Sequence, residues 1–273
     1  MLWNAKNGSV RIGDTDMDYV SFGYGKKVLI ALPGLSDGLS TVKGKALMLV
    51  KPYLPLLKDY TIYMFSRKNN MPKGYSIQDM AADQAEAMRI LGIRKASVLG
   101  VSQGGMIAQF LAIDHPERID KLILTVTAPY ANPVLKDCVR RWMQYAKQGN
   151  HKALMIDTAE HTYSPARLKK YRLLYPFLGF LAKPKSYRRF FINACAILRI
   201  DAFPALHRIT APTLILGGGL DSTVGTDAAW ELYGEIPDSQ LHIYQALGHG
   251  AYEEAPDFYQ RVFHFLKTGR NLS

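Results

Sequence analysis

A serine lies in the pentapeptide Gly100-Val101-Ser102-Gln103-Gly104, between an apolar run and a segment of helical character. A G-x-S-x-G sequence at a strand-to-helix turn is typical of a nucleophile elbow. Such a turn strains the serine backbone and lifts its hydroxyl into the cleft, and the helix N-terminus beneath it favours negative charge. The alternative is a Gly/Ser-rich turn without chemistry, which the flanking strand and helix disfavour. We therefore predict that Ser102 is a nucleophile.

A serine hydroxyl needs a base near neutral pH, and the base needs a carboxylate to orient it. In elbow chemistry the chain order is serine, acid, histidine. His249 lies between two glycines in a loop after the last predicted strand, which is where a base is expected. The other histidines precede the late acids or lie within a strand or helix: His115, His151, His161, His207, His242 and His264.

Three late aspartates are candidates for the orienting acid. Asp221 follows a predicted strand through Gly217-Gly218-Gly219-Leu220, so it leaves the sheet at the same edge as Ser102. Asp227 falls at the start of a helix, where capping is the simpler role, and Asp238 falls in a turn. Position therefore favours Asp221.

Acyl transfer to serine also needs backbone N–H groups that bind the oxyanion. The amide of Gln103, next to the serine, is one candidate. The loop after the third strand supplies the second through Leu32-Pro33-Gly34-Leu35, and we assign the amide of Leu35. The alternative for Pro33-Gly34 is an ordinary turn that ends a strand.

The elements that must position these residues alternate between strand and helix, a pattern typical of a mostly parallel sheet covered on both faces. An antiparallel pair is expected first, because Gly13-Asp14 connects the first two runs tightly. The predicted strands are Ser9–Ile12, Met17–Phe22, Lys27–Leu32, Thr61–Phe65, Ala96–Gly100, Lys121–Val126, Thr213–Leu216 and Gln240–Tyr244. The predicted helices are Ser76–Leu91, Gly104–Asp114, Thr226–Glu235 and Pro256–Lys267.

Residues 130–207 interrupt this alternation with helical pieces and no convincing strand. We predict that they form a helical cap inserted after the sixth strand, over a core of residues 1–129 and 208–273. The net charge of the chain is +11, and all of that excess lies within residues 130–200. The cap is therefore basic, whereas the rest of the chain is neutral.

The chain resembles the α/β-hydrolase superfamily, in particular its capped esterases, enol-lactonases and carbon–carbon bond hydrolases. The resemblance lies in four segments: LPG at 32–34, GVSQGGMIAQFLAIDHPERIDKLIL at 100–124, APTLILGGGLD at 211–221 and GHGAYEEAPDFY at 248–259. It implies an eight-stranded α/β-hydrolase fold and the triad Ser102, Asp221 and His249. A serine nucleophile argues against the aspartate-nucleophile branches. Relatives often carry His-Gly in the oxyanion loop and Asp-x-Arg-Gly-x-Gly after the fourth strand. In this chain the oxyanion loop, Leu32-Pro33-Gly34, has no histidine, and Arg67 is the only residue of the second motif that is present.

Eleven of the chain's aromatic residues lie within residues 130–200 of the predicted cap, which indicates a sizeable apolar group in the substrate. The predicted substrate contacts are Gly34, Met106, Tyr130, Trp142 and Tyr145. The basic cap suggests an amphipathic or anionic ester, with Arg188 and Arg189 as candidate contacts. The alternative is that most of these charges only keep the outer surface soluble.

These observations predict a serine hydrolase that cleaves a carboxylic ester. Lactone opening uses the same machinery, and acyl transfer or perhydrolysis depends on which nucleophile the pocket admits. A binding module for an anionic membrane surface, with a vestigial site, is the alternative from another class. No cofactor, metal ion or nucleic-acid partner is expected. The absence of a signal sequence and the two cysteines, expected as free thiols, favour a cytoplasmic protein.

Overall fold

The computed structural model describes residues 2–180 and 183–272. Eight strands form one sheet in the order β1-β2-β4-β3-β5-β6-β7-β8. β2 runs antiparallel to β1 and β4, and the other neighbouring strands are parallel. The strands are β1 (Lys6–Ile12), β2 (Thr15–Gly23), β3 (Lys27–Leu32), β4 (Tyr60–Lys68), β5 (Ala96–Val101), β6 (Ile119–Thr125), β7 (Thr213–Gly218) and β8 (Ser239–Tyr244). The predicted fold class is confirmed, including the antiparallel opening.

The described residues contain ten α-helices. They are α1 (Ala46–Leu49), α2 (Ile77–Ile90), α3 (Gln103–Asp114), α4 (Pro133–Lys147), α5 (His151–Thr162), α6 (Pro165–Tyr171), α7 (Arg188–Ile197), α8 (Ala228–Glu235), α9 (Ala251–Glu254) and α10 (Phe258–Thr268). Short 3-10 helices include Leu35–Gly38, Lys51–Leu56, Arg172–Phe177 and Phe203–Arg208. The sequence prediction missed α1, α9 and the Lys51–Leu56 turn, which contains two prolines, whereas the predicted helix Pro256–Lys267 corresponds to α10.

Alternation along the central strands sends side chains into two apolar cores, one on each face of the sheet. Ile30 and Leu32 of β3 pack with α2, α3 and α8. Leu29 and Ala31 of the same strand pack into the opposite core, with α1 and α10. β5 is buried along nearly its whole length, as expected for a parallel strand covered on both faces.

The helices α4 to α7 lie between β6 and β7, so we retain residues 130–207 as a proposed cap. Residues 181 and 182 of this cap lie outside the described residues. The 3-10 helix Phe203–Arg208 spans the predicted boundary and packs against α3 and α8, so its position is that of a core element. α7 contacts the 3-10 helix Leu35–Gly38, which brings the proposed cap against the loop after β3.

Candidate active site

The loops after β3, β5 and β7 leave the sheet at its carboxyl edge, where open α/β folds bind ligands. Ser102 lies between β5 and α3 with φ 53° and ψ −119°, a left-handed conformation rare for a residue with a side chain. Its N–H donates to the Thr125 carbonyl at 2.9 Å, and its own carbonyl accepts from Thr127 Oγ1 at 2.7 Å. The end of β6 and the segment that follows it therefore hold the strained turn from both sides.

The close approach of α3 to β3 explains why glycine follows the serine. A Cβ at Gly104 would lie 1.9 Å from the Leu32 carbonyl oxygen, and one at Gly100 would lie 2.5 Å from the Gly104 carbonyl oxygen. Any side chain at either position would push the helix away from the sheet. The glycines that flank Ser102 are thus required by packing, as the sequence pattern indicated.

Ser102, His249 and Asp221 form a continuous hydrogen-bonded chain. His249 Nε2 lies 3.0 Å from Ser102 Oγ, and His249 Nδ1 lies 2.8 Å from Asp221 Oδ2. The imidazole is 7% exposed and the aspartate 3% exposed, so the pair is shielded from water while the serine hydroxyl borders a cavity. This geometry suits proton transfer from a serine through an oriented imidazole.

The second carboxylate oxygen of Asp221 is also occupied. Asp221 Oδ1 accepts from the N–H groups of Thr223 at 2.9 Å and Val224 at 3.0 Å. These bonds leave Oδ2 aimed at the imidazole. The other two candidate acids lie elsewhere: Asp227 precedes α8 without making a side-chain capping bond, and Asp238 lies in the turn before β8.

Two backbone N–H groups beside Ser102 are available to bind an anion. Leu35 and Gln103 are the first residues of their helices, so neither N–H has an acceptor within its own helix. Neither donates to another acceptor within residues 2–180 and 183–272. A Cβ built at Gly34 would lie 3.8 Å from Ser102 Oγ, which places the Leu35 loop directly against the serine.

A buried ionic cluster supports this loop. Arg67, which is 1% exposed, donates from Nη2 to the Pro33 carbonyl at 2.7 Å and to Gln103 Oε1 at 3.0 Å. One guanidinium thus links the two segments that carry the candidate oxyanion donors. Asp37 lies in the same loop and accepts from the Arg67 N–H at 3.1 Å. Nothing in the sequence pattern indicated this role for Arg67.

Arg189 of α7 completes the cluster from the proposed cap. Its Nη2 lies 2.5 Å from Asp37 Oδ2 and 2.8 Å from the Arg67 carbonyl. Its other nitrogens donate to the carbonyls of Asp37 at 2.9 Å and Lys68 at 2.7 Å. Arg188 makes one such bond, to the Met71 carbonyl. The expected role of Arg189 as a contact for an anionic substrate is corrected, because protein acceptors already occupy its guanidinium.

Charge balance in this cluster fixes the protonation of its members. Burial alone would raise the pKa of Asp37, but Arg189 and Arg67 outweigh burial and hold that pKa below its usual value. Burial lowers the pKa of Arg67 to about 10, against the opposing pull of Asp37. Asp37 is therefore an anion and Arg67 a cation near neutral pH.

A cavity of about 150 Å³ lies over Ser102. It is lined by Gly34, Leu35, Ser36, Leu39, Val101, Ser102, Trp142, Leu154, Met155, Thr158, Thr162, Phe190, His249 and Tyr252. The lining is mainly apolar and contains no lysine or arginine from the described part of the chain. A cavity of this size with an apolar lining has room for a group about as large as benzene.

The structure brings two of the five predicted substrate contacts, Gly34 and Trp142, into this lining. The other three are corrected. Met106 is fully buried beneath the elbow in the core, and Tyr145 packs against that core from α4. Tyr130 lies in a separate surface depression, where its hydroxyl donates to Glu231 Oε1 at 2.7 Å.

Sequence reasoning missed the contribution of α5 to the cavity. Leu154, Thr158 and Thr162 recur at four-residue spacing and present one face of this helix to the cavity. That spacing was the available signal, although apolar and threonine residues at helical spacing are common in any core. The Thr162 carbonyl accepts from the Gly250 N–H, so the end of α5 is attached to the histidine loop.

Residues 2–180 and 183–272 contain no group of side chains suited to hold a metal ion. Within the same ranges, no helix has the length and apolar character needed to cross a bilayer. Both cysteines are free thiols, with Cys138 buried and Cys195 half-buried.

A family model described as the alpha/beta hydrolase fold matches residues 59–256, most of the chain. The protein therefore belongs to the α/β-hydrolase family and is a hydrolase, as the resemblance implied.

The chain is 29% identical over 210 residues to a Pseudomonas protein named 2-hydroxy-6-oxononadienedioate/2-hydroxy-6-oxononatrienedioate hydrolase, covering 71% of this chain and 73% of the relative. Two solved structures share the fold at 20% identity. An alpha/beta hydrolase enzyme from a deep-sea metagenome library, MGS-M2, gives a TM-score of 0.83 over 97% of this chain and 99% of its own. The enol-lactonase from Burkholderia xenovorans gives a TM-score of 0.78 over 95% of this chain and 100% of its own.

Proposed function

We propose that this protein hydrolyses carboxylic esters through an acyl-enzyme. The observation that carries the proposal is the hydrogen-bonded chain from Asp221 through His249 to Ser102 Oγ, with both bonds at 2.8–3.0 Å. It meets the geometric requirement for a nucleophile, its base and the group that orients the base. The free N–H groups of Leu35 and Gln103 beside the serine support the same chemistry.

In the first half of the reaction Ser102 Oγ attacks the ester carbonyl carbon while His249 Nε2 accepts the hydroxyl proton. The carbonyl oxygen becomes an oxyanion and accepts hydrogen bonds from the amides of Leu35 and Gln103. The carbon–oxygen bond to the alcohol then breaks, and the imidazolium gives its proton to the leaving oxygen. Asp221 keeps Nδ1 protonated and stabilises the positive imidazolium throughout.

In the second half a water molecule attacks the acyl-enzyme with His249 as base. The bond between the acyl carbon and Ser102 Oγ breaks, the proton returns to the serine and the carboxylic acid leaves. The strained backbone at Ser102 supports both halves, since it holds the hydroxyl in place before substrate arrives.

The cavity lining supports a neutral, compact acyl group. Its volume of about 150 Å³ lies below the several hundred Å³ typical of sites for larger ligands. An anionic ester would bury its charge against Trp142, Leu154 and Phe190 without a cationic partner in the described lining, which is costly. We therefore narrow the predicted amphipathic or anionic ester to a neutral one with an acyl group of about six heavy atoms.

A fluorophosphonate probe tests the nucleophile directly. We expect labelling of the native protein, no labelling of Ser102→Ala and slow labelling of His249→Ala, because the hydroxyl then lacks its base. Labelling of Ser102→Ala at the native rate, or none of the native protein, would reject the proposed mechanism.

A panel of p-nitrophenyl esters tests the acyl group. We expect kcat/KM to be highest for acyl chains of four to six carbons and to fall steeply for palmitate, since the cavity cannot enclose it. Asp221→Asn should lower kcat by about 10⁴ with little change in KM. If no ester is cleaved while the probe still labels Ser102, the nucleophile stands and the ester assignment fails.

A small lactone is the second candidate, and the ring-sized cavity is the observation that favours it. The same residues would open the ring, but the leaving alcohol would stay attached to the acyl group. Comparing five- and six-membered lactones with open-chain esters of equal carbon number separates the two candidates by the ratio of their kcat/KM values.

A further inference from the structure

A group of large apolar side chains lies exposed on the outer side of the proposed cap. Leu173, Leu174, Phe177 and Phe180 are 76%, 47%, 63% and 85% exposed, all within eight residues. Isolated exposed apolar side chains are ordinary on soluble proteins, whereas contiguous ones indicate an interaction surface.

The local backbone places most of these side chains on one side. The 3-10 helix Arg172–Phe177 continues as turns to residue 180, with Phe180 N–H donating to the Phe177 carbonyl at 3.2 Å. A 3-10 helix repeats every three residues, so Leu174, Phe177 and Phe180 line up along one edge.

Lysines flank the apolar residues on both sides in the chain. Lys169 and Lys170 lie in the last turn of α6, and Lys183 and Lys185 follow the apolar segment. All four are exposed, and none forms an ion pair in the described part of the chain. We call these four lysines, with the four exposed apolar residues, the apolar–basic patch. Nearby Arg172 is neutralised by Glu160 at 2.7 Å and adds no free charge.

The segment that carries the patch is anchored on α5. Leu178 is 1% exposed, the Tyr175 hydroxyl donates to Glu160 Oε1 at 2.6 Å, and Gly179 lies against Lys152. Lys152 and Glu160 lie on a different face of α5 from Leu154 and Thr158, which line the cavity. The patch is therefore outside the cavity, on the far side of the helix that covers it.

The four lysines of the apolar–basic patch indicate which partner fits it. A second copy of this chain placed on the patch would bring eight uncompensated lysines together, which is unfavourable. An anionic bilayer instead accepts the apolar side chains into its interface and the ammonium groups at its headgroups. We propose that the apolar–basic patch docks this protein on an anionic lipid surface.

Vesicle co-sedimentation tests the proposal. We expect binding to vesicles of phosphatidylcholine with phosphatidylglycerol, much weaker binding to phosphatidylcholine alone, and loss of the difference at 1 M salt, where the Debye length is about 3 Å. Lys169→Ala with Lys170→Ala should weaken binding to the anionic vesicles about 25-fold, because each basic residue near the surface contributes about fivefold. Phe177→Ser with Phe180→Ser should weaken it at least tenfold.

Matched controls come from elsewhere on the surface. Leu47 and Met48 of α1 are 59% and 64% exposed, and their double serine variant should bind vesicles as the native protein does. Lys26 and Lys95 precede β3 and β5 at the opposite end of the sheet, so replacing both with alanine should change binding less than twofold.

Hydrolysis of a water-soluble ester, measured on every variant, shows that each is folded and separates docking from catalysis. Native protein that fails to bind anionic vesicles would overturn the proposal. Equal losses in patch and control variants would also overturn it, because binding would then reflect overall charge. A dimer in light scattering that Phe177→Ser with Phe180→Ser dissociates, without vesicle binding, would assign the patch to self-association instead.

Discussion

Replacing Arg189 with methionine removes the hydrogen bonds that this side chain makes from α7 to the loop that carries Leu35 and to β4. Arg189 donates two hydrogen bonds to Asp37 in that loop, one of them to its 1%-exposed carboxylate, and two to the carbonyls of Arg67 and Lys68. Methionine keeps the length and the apolar part of the side chain but supplies no donor. Asp37 would be left with Arg67 as its cationic partner, 3.8 Å away.

The size of the loss follows from burial. Removing one partner of a buried ion pair costs about 3–5 kcal/mol, because the remaining charge is left desolvated. The Arg189 side chain is 16% exposed, so we expect a loss near 3 kcal/mol. In a chain of this length that loss lowers Tm by about 5 °C. Since Asp37 shares a turn with Leu35, kcat for a good ester should fall about tenfold, part of the cost of losing one oxyanion donor.

Arg188→Met is the matched control, one residue away on the same helix. Its guanidinium donates to one carbonyl, at 3.1 Å, and the residue is exposed, so its loss should cost less than about 0.5 kcal/mol. Urea unfolding followed by fluorescence gives both free energies, and ester kinetics give kcat and KM. If the unfolding free energies of Arg189→Met and Arg188→Met agree within about 1 kcal/mol, the buried cluster does not stabilise the contact between the proposed cap and the loop.

Three further outcomes are expected. Gly104→Ala should destabilise the fold by more than about 3 kcal/mol in the same urea titration, because its Cβ would overlap the Leu32 carbonyl. Gly234→Ala in α8 is the control, since its Cβ would meet open space, and it should stabilise the fold by about 0.5 kcal/mol. The pKa of Asp37 is lower in the folded than in the unfolded protein, so the stability that its carboxylate contributes is present above pH 4 and is lost as the pH falls through the folded pKa. In Asp37→Asn, the plot of unfolding free energy against pH should therefore be flatter in this acidic range. Phe190→Ala should shift the preferred p-nitrophenyl ester toward longer acyl chains by enlarging the cavity, and an unchanged chain-length profile would remove Phe190 from the acyl pocket.

The sheet was predictable because its strands are short apolar runs bounded by Gly, Pro and charged residues. Each predicted strand has a counterpart in the structure, and the bounds differ by a few residues at the ends. Ser76 caps α2 through a reciprocal capping box with Asp79, a local signal that sequence carries well. The short α1 lacks such a signal, and its formation depends on packing of Ala46 against the sheet.

The site was predictable where chemistry demands an order in the chain. Ser102, Asp221 and His249 were selected by motif and position, and the structure brings them within hydrogen-bonding distance. The cluster of Asp37, Arg67 and Arg189 was not predictable, because its members lie up to 152 residues apart and meet only through the fold. The prediction of Tyr130 and Tyr145 as substrate contacts rests on aromatic type, and residue type does not determine which cavity a side chain faces.

The hydrogen bond between the Thr162 carbonyl and the Gly250 N–H joins the end of α5, which lines the cavity, to the loop that carries His249. We therefore expect a displacement of α5 to disturb the hydrogen bond between His249 and Ser102 as well. By thermodynamic linkage, a ligand that fills the cavity should slow hydrogen exchange at the Gly250 amide. A partner bound to the outer side of α5, opposite the cavity, should slow the same exchange. Ligand occupancy of the cavity and the position of the proposed base, His249, are thus expected to depend on each other.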